Sequence, residues 1–348
     1  MRLLRRNKTK LDYILFEATQ QCNLNCLYCY NHWKRDNTAN GIIEEGYVQS
    51  VKTLKKLVET TTVKHITFTG GEPFLAERIR EQILFCRMKN ISVSVITNGN
   101  ASSAEELMQL IRIGVQLFEL PVHSPSPSIH DQMTGVLGSW KKSTETIWTI
   151  LQLGGRVVPV IVVTRLNYHK IGETLEFIHS LGISRVMLNR YNIGGSGVRN
   201  PQRVVPNKEQ LNEAFQQANE MVPKLHLILS SNVCTPHCII DPANYRNITF
   251  TNCSSDISKR PLTLTTKGEL RFCNHSPRVL GNIFEQPINQ ILKEQTVKNE
   301  FEKQPEYCLG CPKFEKCLGG CRAAAEQAGK TLSDVDPLVE IENLVEIS

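Results

Sequence analysis

Residues 11–29 read LDYILFEATQQCNLNCLYC, and the change from apolar to cysteine-rich within them decides the fold. Residues 11–17 are a short apolar run of the kind that forms a buried strand, so Cys22, Cys26 and Cys29 sit on the loop leaving its C-terminal end. Loops at that end of parallel strands are where α/β barrels build active sites. Spacings of four and three residues suit a loop wrapped around one inorganic centre, on which three ligands leave one position open. From spacing alone the readings are an iron–sulfur cluster, half of a zinc site, or three unconnected buried thiols.

At 348 residues the chain is long enough for one large α/β domain and a smaller one. A composition of 41% hydrophobic and 21% charged residues allows a sizeable core and argues against extensive disorder. The formal charge of +6 is mild for this length and reads as a solvated face; a nucleic-acid partner would need a denser basic stripe. No apolar run approaches the roughly 20 residues of a transmembrane helix. The basic start, MRLLRRNKTK, lacks the apolar segment of a signal peptide, so a cytoplasmic protein with no membrane partner is expected. Twelve cysteines in such a chain point to metal sites, because the cytosol keeps thiols reduced. Their distribution is uneven. Cys86 is isolated in an apolar helical pattern and reads as an inert buried thiol, whereas Cys234, Cys238, Cys253, Cys273, Cys308, Cys311, Cys317 and Cys321 fill the last third.

Between the two groups, short apolar runs alternate with amphipathic stretches. Strands are expected at 11–17, 63–68, 91–96, 115–122, 157–164 and 185–190, and helices at 42–59, 77–89, 104–113, 140–153 and 171–181. Such alternation implies a parallel sheet with right-handed crossovers. Six βα units make an incomplete, open barrel. Residues 192–206 read as a long loop, a further helix is expected at 208–221, and the acidic end from Thr331 reads as a loose tail. The division expected is 1–225 for the barrel and 226–348 for a cysteine-rich domain.

After the second strand comes Thr69-Gly70-Gly71-Glu72-Pro73, where adjacent glycines let backbone approach a ligand closely and proline fixes entry to the next element. Alone, such a pair is equally a plain turn, as is Asn98-Gly99 after the third strand. The CxxxCxxC spacing, with Tyr28 before its third cysteine and this glycine pair downstream, resembles the radical S-adenosylmethionine enzymes. The resemblance implies a partial (β/α)6 TIM-like barrel and a [4Fe–4S] cluster on Cys22, Cys26 and Cys29, whose open iron chelates the methionyl moiety of S-adenosylmethionine. It also implies cofactor contacts from Gly70, Gly71, Glu72, Pro73 and Asn98, and an adenine contact from Tyr28. Many relatives carry a serine–aspartate pair at the fourth strand's end; this chain has His123-Ser124, so Ser124 becomes the cofactor candidate and His123 a catalytic one. Arg190 and Tyr191 are further catalytic candidates at the sixth strand's end, and His130 and Asp131 could line the cavity.

In the last third, Cys253-x14-Gly268-x4-Cys273 precedes Cys308-x2-Cys311-x5-Cys317-x3-Cys321. A structural zinc site is one reading of four thiols in fourteen residues. The series resembles the SPASM domain, which holds auxiliary [4Fe–4S] clusters in radical enzymes that modify peptides and proteins. Gly268 allows a tight hairpin between strands at 262–264 and 270–272. The family pattern has a seventh cysteine beyond the equivalent of Cys321, absent here. By resemblance Cys238, Cys253, Cys273 and Cys321 would hold the first auxiliary cluster. Cys308, Cys311 and Cys317 would hold a second, with Asp336 or Asp334 as fourth ligand and Cys234 as the competing candidate.

The resemblance implies an oxidoreductase that abstracts a hydrogen through a 5′-deoxyadenosyl radical and installs a thioether or carbon–carbon crosslink, or a similar change, on a ribosomally made precursor peptide. Partners implied are that peptide, a flavodoxin- or ferredoxin-type reductant and, since strand one begins near Leu11, possible delivery by a separate leader-binding protein. Alternatives are sulfatase-maturation-like protein modification, tetrapyrrole side-chain chemistry, and a non-catalytic iron–sulfur electron carrier.

Overall fold

The computed structural model describes residues 8–34, 46–199, 201–254 and 256–340. Strand β1 (Thr9–Thr19) is followed by helix α1 (Tyr47–Thr60), β2 (Thr61–Gly70), α2 (Ile79–Met88), β3 (Ser92–Ile96), α3 (Ala104–Arg112) and β4 (Val115–Pro121). Then come α4 (Pro127–Thr134), α5 (Ser139–Gln152), β5 (Val157–Val163), α6 (Ile171–Ser180) and β6 (Arg185–Arg190). Strands β1 to β6 pair in sequence order, each parallel to the next, as repeated right-handed crossovers require. The fold is α/β, a partial TIM-like barrel followed by a small cysteine-rich region.

The six strands and five helices expected form at positions close to those the periodicity indicates. Helix α1 begins at Tyr47; the expected residues 42–45 lie outside the described residues. Its apolar face buries Leu54 and Leu57, α2 buries Ile79 and Ile83, and α3 buries Leu107 and Leu110 against the outer face of the sheet. Ile14, Phe16, Ile66, Phe68, Val93, Val95 and Phe118, all fully buried or nearly so, belong to the same core. A capping box of Ser103 and Glu106 fixes the start of α3, and one of Asn207 and Gln210 does so for the later helix at Lys208–Lys224.

The sheet continues past the sixth strand. After a short helix α7 (Pro201–Val204) and α8 (Lys208–Lys224), strands β7 (Ile228–Ser231) and β8 (Ile248–Phe250) add parallel to β6. Residues 192–206, expected as loop, contain α7 and a 3-10 turn at Gly195–Arg199. The expected hairpin forms as β9 (Thr263–Thr265) and β10 (Glu269–Arg271), with β11 (Val279–Asn282) beside it. Strand β9 pairs parallel with β1 on the edge away from β2, so the order is β11-β10-β9-β1-β2-β3-β4-β5-β6-β7-β8. Sequence alternation reports only neighbours joined by short crossovers, and this pairing joins residues some 250 positions apart.

The described part of the C-terminal segment corrects the loose-tail expectation: Leu332, Val335, Asp336, Pro337 and Leu338 are buried. Among the described residues no helix is long and apolar enough to cross a membrane.

Candidate active site

The cysteine loop is held by backbone hydrogen bonds on several sides. A register shift between Glu17 and Thr19 ends β1 opposite Gly70, and the Gly71 and Glu72 N–H groups then donate to the Thr19 and Gln21 carbonyls at 2.8 and 2.7 Å. A Cβ on Gly70 would stand 2.1 Å from the Thr19 carbonyl oxygen, and one on Gly71 2.0 Å from that of Gln21. The glycine pair therefore first serves close approach of backbone to backbone, with Gly70 also at φ +130°. Helix α4, which the sequence pattern did not reveal, receives Asn25 N–H and Leu27 N–H at the Thr134 and Met133 carbonyls. From the β6 side, Ser196 N–H donates to the Cys29 carbonyl at 2.9 Å.

Cys22, Cys26 and Cys29, all half-buried, line a cavity of about 600 Å³. Gly70, Gly71 and Asn98 line it beside them; Asn98 Nδ2 is 2.8 Å from Asn23 Oδ1 and 3.8 Å from Cys22 Sγ. Tyr28 lines it too, its ring edge-on to His123 with centroids 4.5 Å apart. His123 Nδ1 accepts the Val162 N–H at 3.3 Å, which places the neutral ring's proton on Nε2. That Nε2 is buried without a partner, and burial together with His130 lowers the ring's pKa well below the usual range, so the ring is neutral.

Several candidates are placed elsewhere. Glu72 and Pro73 are buried and do not line the cavity. The Glu72 carboxylate accepts from Phe74 N–H, the Thr97 hydroxyl and Asn98 N–H at 3.1, 2.7 and 2.7 Å, so it positions the loop after β3 instead of facing a ligand. Ser124 is likewise off the cavity, its hydroxyl accepting Ser126 N–H. Tyr191 is buried in the core beside Gly197 and does not line the cavity, which corrects its catalytic assignment. Arg190 reaches the cavity wall, but its guanidinium is engaged by Asp336, the Cys234 and Tyr191 carbonyls and Asn192, so it is a strut between barrel and C-terminal region. His130 supports His123 by accepting its backbone N–H, and Asp131 caps α5 through Gly138, Ser139 and Trp140.

The same cavity is also lined by Cys234, Cys253, Cys273 and Cys321. The Cys234 and Cys253 thiols lie against each other, and this contact, with Arg260 adding to it, lowers the Cys253 pKa against the effect of burial. Cys238 is exposed and lies outside the cavity, within electrostatic reach of Cys308, Cys311 and Cys317. Of the two upstream cysteines it is thus Cys234, and not Cys238, that shares the cavity with Cys253, Cys273 and Cys321. Asp336 is held away from the expected ligand role: one oxygen takes Arg190 and Cys321 N–H and the other takes Leu338 N–H at 3.0 Å, so the carboxylate ties the C-terminal segment to Arg190. Asp334 is engaged by Thr331 N–H and hydroxyl.

Residues outside the sequence reading complete the site. Glu119 lines the cavity from β4, on the strand face it shares with Leu117 and Pro121, and burial pushes its carboxyl up to about 7. The period-two alternation of β4 was the available signal for it. His275 lines the cavity near Cys321 Sγ at 4.0 Å and packs on the Tyr30 ring at 4.2 Å. Gln327, buried, donates to the Tyr30 and His275 carbonyls and accepts Gly195 N–H. A second buried ion pair, Arg271 with Glu17, ties β10 to β1.

The donor sets fit iron–sulfur clusters. Each is built of thiols, with Lys34 near the first and Arg260 near the second to offset their charge. Among the described residues no three Cys, His, Asp or Glu side chains converge as ligands of a single ion would.

Comparison with known proteins agrees with this geometry. Residues 16–178 match the family model of the radical SAM superfamily, and residues 253–312 that of SPASM, an iron–sulfur cluster-binding domain. The PqqA peptide cyclase of Methylocella silvestris is 23% identical over 94% of this chain and 87% of its own length. That of Xanthomonas campestris is 24% identical over 94% and 86%. Streptococcus suis SuiB bound to precursor peptide SuiA superposes with a TM-score of 0.72 at 15% identity, covering 94% of this chain and 75% of SuiB. Native anSMEcpe with bound AdoMet does so with a TM-score of 0.71 at 17% identity, covering 95% of both chains. These superpositions establish a shared fold.

Proposed function

We propose that this chain, which belongs to the radical SAM superfamily and carries a SPASM domain, is a peptide maturase that crosslinks a ribosomally made precursor. Iron–sulfur clusters and S-adenosylmethionine are its cofactors. Bound at the Cys22, Cys26 and Cys29 end, S-adenosylmethionine supplies, on one-electron reduction, the means to take a hydrogen atom from an unactivated carbon.

The observation that carries the peptide reading is that Cys22, Cys26 and Cys29 line the same cavity as Cys234, Cys253, Cys273 and Cys321. A substrate held between them has an initiating site on one side and an electron outlet on the other, as net oxidation of a peptide needs. Gly70, Gly71 and Asn98 wall the cofactor end, and Tyr28 with His123 closes its flank. The fixed Nε2–H of neutral His123 offers one hydrogen bond to whatever lies there. The apolar wall of Leu15, Val160 and Val162 excludes water that would otherwise quench a reactive substrate. The relatives named PqqA peptide cyclase support the substrate class.

In this reading residues 1–225 form the catalytic barrel and residues 226–348 the auxiliary-cluster domain, whose strands extend the sheet at both edges, β7 and β8 beyond β6 and β9 to β11 beside β1. A flavodoxin- or ferredoxin-type protein supplies the electron, the precursor is either delivered by a separate leader-binding protein or recognised by the barrel directly, and a chain of twelve cysteines suits the reducing cytoplasm. Anaerobic incubation of reconstituted enzyme with reductant, S-adenosylmethionine and the peptide encoded by a neighbouring reading frame tests this. The expected result is 5′-deoxyadenosine together with a peptide lighter by two hydrogen atoms; 5′-deoxyadenosine with an unchanged peptide points away from a maturase.

A further inference from the structure

The segment from Cys234 to Asp241 runs between the two C-terminal thiol sets. Its first cysteine faces the cavity, bonded to Cys253. A turn follows, in which Ile239 and Ile240 N–H both donate to the Pro236 carbonyl, and Cys238 emerges on the opposite side. There its thiol lies beside the Tyr307 side chain, next to Cys308 in the chain. Two further contacts fix the turn. Asp241 Oδ2 pairs with Lys313 Nζ at 2.5 Å, two residues after Cys311. Pro236 packs so closely on Gly320 that a Cβ there would stand 2.7 Å from Pro236 Cγ.

Cys308, Cys311 and Cys317 occupy one compact loop, in which Cys311 N–H donates to the Cys308 carbonyl at 3.0 Å and Cys317 N–H to the Lys313 carbonyl at 3.1 Å. Among the described residues downstream of Cys321 there is no cysteine, and Asp334 and Asp336 are engaged elsewhere. We propose that Cys238 is the fourth ligand of this loop, so that a second auxiliary cluster is closed from upstream by Cys238 with Cys308, Cys311 and Cys317. Its thiolate is a better match for iron–sulfur ligation than a carboxylate. Ligation forms an iron–sulfur bond and releases the thiol proton to water, which reaches exposed Cys238; no electron changes hands. The inference rests on the cofactor assignment and is independent of which peptide is modified.

The test uses full-length protein with Cys22, Cys26 and Cys29 changed to Ala, reconstituted anaerobically, with iron, sulfide and Mössbauer spectra as readouts. This background is expected to hold about eight irons per chain, as two [4Fe–4S] clusters. Cys238→Ala should reduce one cluster to a three-iron form or remove it. Adding Cys317→Ala to Cys238→Ala should cost no more iron than Cys317→Ala alone, whereas adding Cys273→Ala should cost a second cluster. Asp336→Asn, which still accepts the Cys321 N–H, should keep full iron. The proposal is overturned if Cys238→Ala leaves both clusters intact, if its loss is additive with Cys317→Ala and not with Cys273→Ala, or if the background holds a single auxiliary cluster.

Discussion

Cys22, Cys26 and Cys29 lie on one loop, whereas Cys234, Cys253, Cys273 and Cys321, which line the same cavity, are gathered from separate segments of the chain. The first site is a local structure, shaped by backbone stitching of β1, β2 and α4 around eight residues. The second is an assembled structure, and it depends on how the C-terminal region is fastened to the barrel by Arg190–Asp336, Arg271–Glu17 and Gln327. The difference teaches that damage to the first should be a chemical lesion with little effect on folding, and damage to the second a loss of stability that reaches the thiols indirectly.

The largest effect expected is that of Cys26→Ala, which should abolish 5′-deoxyadenosine formation and remove about four irons per chain while leaving the denaturation midpoint of the auxiliary region in place. Next, Gly71→Ala should cut 5′-deoxyadenosine formation about a hundredfold, because its Cβ would collide with the Gln21 carbonyl and displace the cysteine loop. Iron loss from the auxiliary sets in either variant would break the separation of the two regions.

In the assembled region, Asp336→Ala leaves the Arg190 guanidinium buried and unpaired, and should cost about 3–5 kcal/mol in denaturant unfolding. Gln327→Leu should cost about 1–3 kcal/mol, since it strands three backbone groups at the junction of the Cys29 loop, the loop after β6 and the loop after Cys273. A variant of either residue with wild-type stability would contradict the fastening role. The smallest effect concerns Glu119. Its carboxyl ionises as pH rises through about 7, so binding of cationic S-adenosylmethionine should tighten a few-fold across that range, and Glu119→Gln should flatten the profile in calorimetric titration.

The same contrast explains what the sequence could disclose. The order and boundaries of β1 to β6 were legible because each strand is an apolar run bounded by turn residues, buried on both faces of a parallel sheet. The thiol loop was legible because its spacing is local. Which upstream cysteine joins which set was not, since Cys234 and Cys238 differ only in the side of a turn from which they leave it. Nor were the roles of Glu72, Ser124, Arg190, Tyr191 and Asp336, which all stand at strand ends or near cysteines yet have their polar atoms taken by, or buried among, protein groups. Proximity along the chain marked them, but the availability of a lone pair or proton is settled by tertiary neighbours. The pairing of β9 with β1 escaped for the same reason.

The most direct measurement is isotope transfer within the shared cavity. A candidate precursor peptide, deuterated at its side chains, is incubated anaerobically with the reconstituted enzyme and S-adenosylmethionine, and the 5′-deoxyadenosine is weighed by mass spectrometry. Deuterium in the 5′-deoxyadenosine, matched by a crosslinked peptide that has lost it, is the result expected of a maturase holding its substrate between the two thiol sets. Unlabelled 5′-deoxyadenosine beside an intact deuterated peptide would contradict it.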